Sequence, residues 1–213
     1  MYTPSHFDNP DLTALHATMR RHPFALLVTP HAGEVHLTHL PFHLDAGRRS
    51  KGTLEAHLAR INPHCEAVLA GAPSTVVFRG PDGYISPRWY EDPARNVPTW
   101  NYVAVHVHGK PRPIAEPARL LALIGRLTDE HEAYIEKPWS IREAHAHAER
   151  LTGHILGFEL EIEGLEGKFK LSQNRSDGDR AGVLRELAKS QDSDVQEMLR
   201  LMRDIYKEDG TFR

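Results

Sequence analysis

The sequence has a single cysteine, Cys65, among 213 residues. One thiol excludes an internal disulfide and any metal site built on several thiolates, and such sparing use of cysteine favours a reducing compartment. No stretch approaches the ~18 uninterrupted apolar residues that a membrane-spanning helix requires. The first residues also lack the basic and apolar segments of a secretory signal. We therefore expect a cytoplasmic protein.

Several common catalytic and nucleotide-binding motifs are missing as well. The chain has no G-x-G-x-x-G, no P-loop, no G-x-S-x-G and no H-E-x-x-H, which removes support for the enzyme classes that these motifs mark. It also lacks an excess of positive charge, since 26 Lys and Arg face 29 Asp and Glu. Stand-alone DNA-binding modules usually carry such an excess to neutralise phosphates. We expect direct DNA binding to be weak or absent.

What the chain does contain is typical of a globular protein. Hydrophobic residues make up 40% and charged residues 26%, close to average usage. The length favours one domain with embellishments. Apolar periodicity predicts about seven or eight short strands, with helices between and after them. That order favours an α+β or barrel fold over a regular βαβ series. Helices are predicted over about 117–134, 140–151, 179–189 and 194–206.

Two local features of the strands are predicted from sequence pattern. Between residues 34 and 45 the alternation of apolar residues changes phase near Thr38 and His39, which predicts a β-bulge. Residues 81–83, Pro-Asp-Gly, are typical of a turn between two strands.

Fifteen histidines are spread from His6 to His154. Closely spaced pairs could suggest a metal site, because imidazole is a common metal ligand. No pair has a third ligand at motif spacing, so solvated or hydrogen-bonded histidines are the favoured interpretation and no metal site is predicted. The pairs are His36 and His39, His106 and His108, and His145 and His147.

A basic block follows the last predicted strand alternation. If residues 168–172 are extended, Lys168, Lys170 and Ser172 point one way while Phe169 and Leu171 point into the core. Together with residues 173–175, these side chains would make a cradle for a phosphate or an anionic cofactor. A solvated basic edge strand is the alternative, because lysines commonly protect sheet edges.

An aromatic segment lies where a proline-restricted loop meets a predicted strand. It places Trp100, Asn101 and Tyr102 side by side. Rigid amphipathic groups of this kind suit a flat aromatic ligand. The alternative is that they simply cap the core.

Several blocks of the sequence closely resemble the PaiB family of FMN-binding negative transcriptional regulators, in order and over almost the whole chain. They are residues 1–4 (MYTP), 38–41 (THLP), 57–63 (HLARINP), 80–90 (GPDGYISPRWY), 97–102 (VPTWNY), 106–109 (HVHG) and 165–175 (LEGKFKLSQNR). The chain departs from the family pattern at Ala56, Ile61 and Cys65, where the family usually has Gly, Ala and Trp.

The resemblance implies a split β-barrel related to pyridoxamine phosphate oxidases, forming a homodimer with FMN at the subunit interface. It implies a barrel domain over residues 1–175 with inserted helices at about 117–151, and a helical extension of that domain over 176–213. No catalytic residue is predicted, because the flavin would carry any redox chemistry. The predicted FMN-binding residues are His57, Arg60, Asn62, Trp100, Asn101, Tyr102, Lys168, Lys170, Ser172, Gln173, Asn174 and Arg175.

Three functions remain open from the sequence. The first is an FMN-binding regulatory protein of the PaiB type. The second is an FMN-dependent oxidoreductase that acts on a small molecule. The third is a haem-binding or haem-degrading protein, since split barrels also serve haem chemistry and histidine is plentiful here.

Overall fold

The structure, a computed structural model, describes residues 1–213 and contains nine β-strands and six α-helices. None of the helices is both long and apolar enough to cross a membrane. The strands are β1 (Phe24–His31), β2 (Glu34–Pro41), β3 (His43–Asp45), β4 (Thr53–Ala59), β5 (Ser74–Ile85), β6 (Thr99–Gly109), β7 (Pro111–Pro113), β8 (Ile155–Glu161) and β9 (Gly164–Lys170). The helices are α1 (Leu12–Arg21), α2 (His64–Leu69), α3 (Pro117–Glu132), α4 (His145–Leu151), α5 (Asp177–Leu187) and α6 (Ser193–Ile205).

The strands form two sheets. One has five strands in the order β2-β1-β5-β6-β9, and the other has four in the order β3-β4-β8-β7. The pairs β1–β2, β1–β5, β3–β4, β4–β8 and β7–β8 are antiparallel. This arrangement confirms the predicted α+β class.

Contacts divide the chain into two compact units. We call residues 1–11, 79–105 and 166–213 the terminal unit, and residues 12–78 and 106–165 the central unit. The domain boundary expected near residue 175 stays a prediction. The two units are described separately below.

The core of the central unit includes a helix packed on the four-stranded sheet. Pro117 suits the first turn of α3, and its buried leucines recur at helical spacing. They pack with Ile114 and Ile155. A Cβ at Gly157 of β8 would lie 2.5 Å from Leu120 Cδ1, so the glycine allows the close approach of α3. The leucines are Leu120, Leu123 and Leu127.

The bulge predicted near Thr38 and His39 is wrong. The pairing of β1 with β2 is continuous, from Phe24 opposite Pro41 to His31 opposite Glu34. The apolar residues change phase because Val35 and Leu37 lie on the exposed face of β2, whereas Leu40, Phe42 and Leu44 are buried. Phe42 separates β2 from β3, and these two strands belong to different sheets. Phe42 is buried against Phe78 and Phe158, with ring centroids 5.9 and 6.2 Å away. The buried phase thus continues from Leu40 to Leu44 while the chain passes from one sheet to the other.

The turn predicted at residues 81–83 is also wrong, because β5 runs without a break through them. Gly83 serves close packing instead of a turn. A Cβ there would lie 2.6 Å from Cε of Met198 on α6. A glycine within a strand often marks such a close approach of another element.

Candidate cofactor site

Three cations of the terminal unit, Lys168, Lys170 and Arg175, form what we call the basic cluster. Lys168 and Lys170 lie two residues apart on β9, which ends at Lys170. Ser172 was predicted to share their strand face, and this is wrong. It lies beyond the strand with φ of 69°, a left-handed conformation that redirects the chain. The cluster therefore consists of a strand end and the loop after it.

Lys168 is buried, with only 9% of its surface exposed. Its Nζ donates a hydrogen bond to the backbone carbonyl of Tyr2 at 3.0 Å. The same nitrogen lies 5.7 Å from the ring centroid of Tyr2 and 5.3 Å from that of Tyr102. A solvated edge lysine does not have these surroundings, so that alternative fails for Lys168.

Lys170 is half-buried, and its Nζ donates to Thr99 Oγ1 at 2.5 Å. Burial lowers the pKa of Lys170, and the positive charges of Lys168 and Arg175 lower it further. Proximity of like charges raises the free energy of the charged lysine. A bound anion would relieve that cost.

Arg175 completes the basic cluster from the loop. It donates to Asn96 Oδ1 at 2.7 Å and lies over the ring of Tyr90 at 4.5 Å from the centroid. The hydrogen-bond acceptors of all three cations are thus neutral oxygens, and none of the three forms an ion pair. A cluster of uncompensated cations with spare N–H donors favours a phosphate.

The other predicted residues of this block hold the loop. Gln173 accepts a hydrogen bond from the backbone N–H of Leu171 at 2.7 Å and donates to the carbonyl of Phe169 at 2.5 Å. The buried Asn101 donates to Ser172 Oγ at 2.9 Å. Asn174 is exposed to solvent. We expect Asn101, Ser172 and Gln173 to act on a ligand through the loop conformation.

Trp100 and Tyr102 line an open groove of about 350 Å³, together with Arg79, Asp82, Val103 and Ala104. Trp100 is 53% exposed and packs edge-on against Tyr84, with centroids 6.0 Å apart. Because Lys168 contacts the ring of Tyr102, the groove adjoins the basic cluster. The terminal unit thus places an aromatic surface beside cations, a combination that suits a flat ring bearing a phosphate.

The central unit contains the predicted residues His57, Arg60 and Asn62. His57 lies on β4 with Nδ1 buried and without a hydrogen-bond partner, and burial lowers its pKa. Arg60 donates from Nε to the carbonyl of Gly153 at 3.2 Å. Asn62 Oδ1 accepts from the backbone N–H of His64 at 2.9 Å. The amide of Asn62 therefore fixes the start of α2.

Sequence reasoning missed His64, which is only 1% exposed. Its Nδ1 lies 2.8 Å from Thr38 Oγ1, and its ring stacks on His36 with centroids 5.4 Å apart. Burial, and after it the charge of His36, lowers the pKa of His64 to about 4. Its Nε2 is buried without a partner. The position after Asn62 and Pro63 was the available signal, but the packing against Thr38 is not visible in sequence.

Unpartnered buried nitrogens are uncommon in folded proteins and call for an explanation such as a water, an ion or a ligand. His57 and His64 supply two of them, at the start of the block 57–63 that resembles the FMN-binding family and directly after its end. Taken by itself, each unit offers groups that a ligand could use: cations in the terminal unit and unpartnered imidazole nitrogens in the central unit.

Comparison with known proteins agrees with this chemistry. A family model described as "Putative FMN-binding domain" matches residues 1–164. The chain is 30% identical over 209 residues, covering 97% of it and 99% of the relative, to "Protease synthase and sporulation protein PAI 2" of Bacillus subtilis. It is 31% identical over 223 residues to an uncharacterised protein, AN0679, of Emericella nidulans, with 86% and 89% of the two chains covered.

Solved structures show the fold. The FAD and haem binding protein from Mycobacterium smegmatis superposes with a TM-score of 0.57 at 17% identity, over 76% of this chain and 73% of that one. The conserved hypothetical protein Rv2991 from Mycobacterium tuberculosis gives 0.58 at 10% identity, over 82% and 92%. The predicted split barrel is thereby confirmed. The basic cluster lies beyond the segment that the family model matches. The chain belongs to the family of FMN-binding domains that includes the PaiB relative from Bacillus subtilis, and FMN is its cofactor.

Proposed function

We propose that this protein is an FMN-binding regulatory protein of the PaiB type, and that the basic cluster holds the phosphate of FMN. The observation that carries the phosphate assignment is the set of three cations whose hydrogen-bond acceptors are all neutral. The groove of Trp100 and Tyr102 beside it offers aromatic surface for the flavin ring. Roles for His57, Arg60 and Asn62 in holding FMN stay predictions.

The phosphate site is tested by comparing FMN with riboflavin, which has the same ring but no phosphate. A hydrogen bond to a charged group is worth about 1.5 to 3 kcal/mol, so two of them should make FMN bind on the order of 100-fold more tightly. In Lys170→Ala, FMN should bind roughly tenfold or more weakly, with riboflavin almost unchanged. Titration by fluorescence quenching measures both affinities, with thermal melts in parallel.

Lys168→Ala, Ser172→Ala and Arg175→Ala extend this series. Lys189→Ala is the matched control, because Lys189 belongs to the same unit but pairs with Glu186 at 2.7 Å. It should leave both flavin affinities unchanged. Equal FMN affinity in wild type and in all the folded cluster variants would remove the cluster from the site.

Regulation by direct DNA contact through the C-terminal helices is not part of this proposal. The basic side chains of α6 are neutralised locally, because Arg200 pairs with Asp204 at 3.3 Å and Arg203 with Glu208 at 3.0 Å. A recognition helix keeps such cations for phosphates. Footprinting across a range of salt concentrations should show no nanomolar, salt-sensitive site. Such a site would instead assign DNA recognition to this chain.

A homodimer in the cytoplasm remains our prediction for the assembly and location. The register of β1 and β2 puts Phe24, Val35 and Leu37 on one sheet face, where each is at least 60% exposed. A contiguous exposed apolar face is typical of a protein contact. Light scattering should give a dimer, and Leu37→Glu should shift it towards the monomer. A wild-type monomer of 24.1 kDa at micromolar concentration would contradict the prediction.

The two other functions left open by the sequence are separated from this one by spectroscopy. Bleaching of bound flavin by NAD(P)H, followed by reoxidation with a defined acceptor, would assign an oxidoreductase. A Soret band after addition of haem, lost on substitution of one histidine, would assign haem binding. The regulatory proposal expects neither.

A further inference from the structure

The loop of residues 171–175, which follows β9 and ends with Arg175, is held by two side chains, one directly after α6 and one on α5. Tyr206, directly after α6, is fully buried and donates its hydroxyl to the carbonyl of Leu171 at 3.0 Å. Arg180 of α5 is 3% exposed and donates to the carbonyl of Arg175. These contacts hold the loop at its first and last residues. Burial raises the pKa of Tyr206 to about 12, against the opposing effect of Arg180, so its hydroxyl remains a donor.

Arg180 also joins this loop to the end of the chain. Its Nε donates to the carbonyl of Gly210 at 2.6 Å. Its guanidinium lies 5.0 Å from the ring centroid of Tyr206 and 4.6 Å from that of Phe212. Gly210 has φ of 83°, and a Cβ there would come within 1.9 Å of the carbonyl oxygen of Asp177. The segment 206–213, which we call the C-terminal tail, therefore closes tightly around Arg180.

The loop depends on such support because its own backbone is strained. Ser172 is a non-glycine residue in the left-handed region, a conformation that persists where its surroundings determine it. Asn101 holds Ser172 from the sheet side and also approaches Met202 Sδ of α6, at 3.7 Å. The position of Arg175 relative to Lys168 and Lys170 thus depends on α5, α6 and the C-terminal tail.

We infer that Tyr206 and Arg180 are positioning residues for the phosphate of FMN, and that the C-terminal tail is a working part of the cofactor site. This inference rests on the proposed phosphate site. The family model matches residues 1–164. The C-terminal tail lies outside that range, so the inference extends the site to a segment that the model does not cover. Because coupling between two sites is reciprocal, phosphate occupancy stabilises the C-terminal tail to the extent that the tail favours phosphate binding.

Tyr206→Phe is the sharpest test, because it removes one hydroxyl and keeps the ring that packs on Arg180. Loss of a hydrogen bond that orders the loop should weaken FMN about three- to tenfold and leave riboflavin unchanged. The readout is the ratio of the two affinities, which a general loss of stability would not move. Tyr134→Phe, at a 93% exposed tyrosine of the central unit, is the control and should leave the ratio unchanged. An unchanged ratio in folded Tyr206→Phe would overturn the inference.

Hydrogen exchange on the wild type gives a test that does not depend on a variant folding. Saturating FMN should slow exchange of the amides of the C-terminal tail, whereas riboflavin at equal saturation should not. Equal protection by both flavins, or by neither, would refute the coupling. The FMN-to-riboflavin affinity ratio of Lys170→Ala distinguishes failure of the proposed phosphate site from failure of the inference about Tyr206 and Arg180. If Lys170→Ala lowers the ratio and Tyr206→Phe does not, the phosphate site stands and this inference alone fails.

Discussion

The terminal and central units each gather three cationic side chains, and the two groups differ in their partners. In the basic cluster Lys168, Lys170 and Arg175 donate to neutral oxygens. In the central unit three arginines surround two glutamates that lie opposite each other on β4 and β8. We call this set the arginine–glutamate network. Its members are Arg48, Arg119, Arg126, Glu55 and Glu159.

The network satisfies its charges internally. Arg48 donates to Glu55 at 2.9 Å and to Glu159 at 2.7 Å, and Arg119 donates to Glu159 at 2.7 Å. Burial alone would raise the pKa of Glu159, but the hydrogen bonds and charges of the two arginines outweigh it and lower the pKa. Two carboxylates directly opposite on paired strands would otherwise repel each other. Cations with carboxylate partners thus stabilise the fold, whereas cations without them remain available to a ligand.

The largest expected loss in the free energy of unfolding comes from removing a carboxylate of the arginine–glutamate network. The Glu55 side chain is 4% exposed, and Glu55→Ala would remove the carboxylate partner of Arg126 and one of the two glutamate partners of Arg48. Breaking a fully buried ion pair costs about 3 to 5 kcal/mol, and the partial exposure of the arginines reduces this to about 2 to 3 kcal/mol. Denaturant unfolding measures the loss, with the exposed Glu136→Ala as control. The FMN-to-riboflavin affinity ratio should not change, and a change would mean that the two groups of cations are not independent.

A smaller loss in the free energy of unfolding should appear on acidification, and it should arise from His64 in the central unit. The pKa of His64 is about 4 in the folded protein, against about 6.5 unfolded. The contribution of neutral His64 to the free energy of unfolding is complete above pH 6.5. It is lost as the pH drops from 6.5 towards 4, because over that range the unfolded state binds the proton and the folded state does not. We expect a loss of roughly 1 to 2 kcal/mol between pH 6.5 and 4.5.

Glu159 has a lowered pKa, so its contribution is lost only as the pH falls below the ordinary carboxyl range. His64→Gln should therefore flatten the stability profile between pH 6.5 and 4.5, which denaturant melts at several pH values would show. His57, whose pKa is also lowered, leaves some slope in that variant. His145→Gln, at an exposed position, should keep the full slope. If stability falls equally steeply with pH in His64→Gln and wild type, His64 is not the source of the loss between pH 6.5 and 4.5.

Local pattern was enough to predict the elements that repeat regularly. Val103, Val105 and Val107, which alternate along β6, are buried on one face, and α3 begins at Pro117 as predicted. The errors come from contacts distant in sequence. Gly83 was interpreted as a turn residue because α6 and Met198, which explain it, lie far along the chain.

The sequence allowed us to predict which residues belong to the candidate site, but not what each of them does there. The basic block is contiguous in sequence, so it could be found, but the division between residues that face a ligand and residues that hold the loop could not. That division depends on the left-handed Ser172 and on Asn101, which meets it from another strand. His64 was missed for the same reason, since Thr38 lies on β2. Direct contact of these residues with FMN stays a prediction.

The smallest effect, and the most direct test of the comparison, is the response of the two groups of cations to salt. Inorganic phosphate that binds the basic cluster stabilises the folded state by mass action and should raise Tm by about 1 to 3 °C. Sodium chloride at equal ionic strength should not, because it only screens the partly exposed arginine–glutamate network. Lys170→Ala should lose the phosphate effect, whereas Glu55→Ala should keep it on a lower baseline. If phosphate raises Tm equally in Lys170→Ala and wild type, the anion binds elsewhere, and the absence of carboxylate partners does not identify the phosphate site.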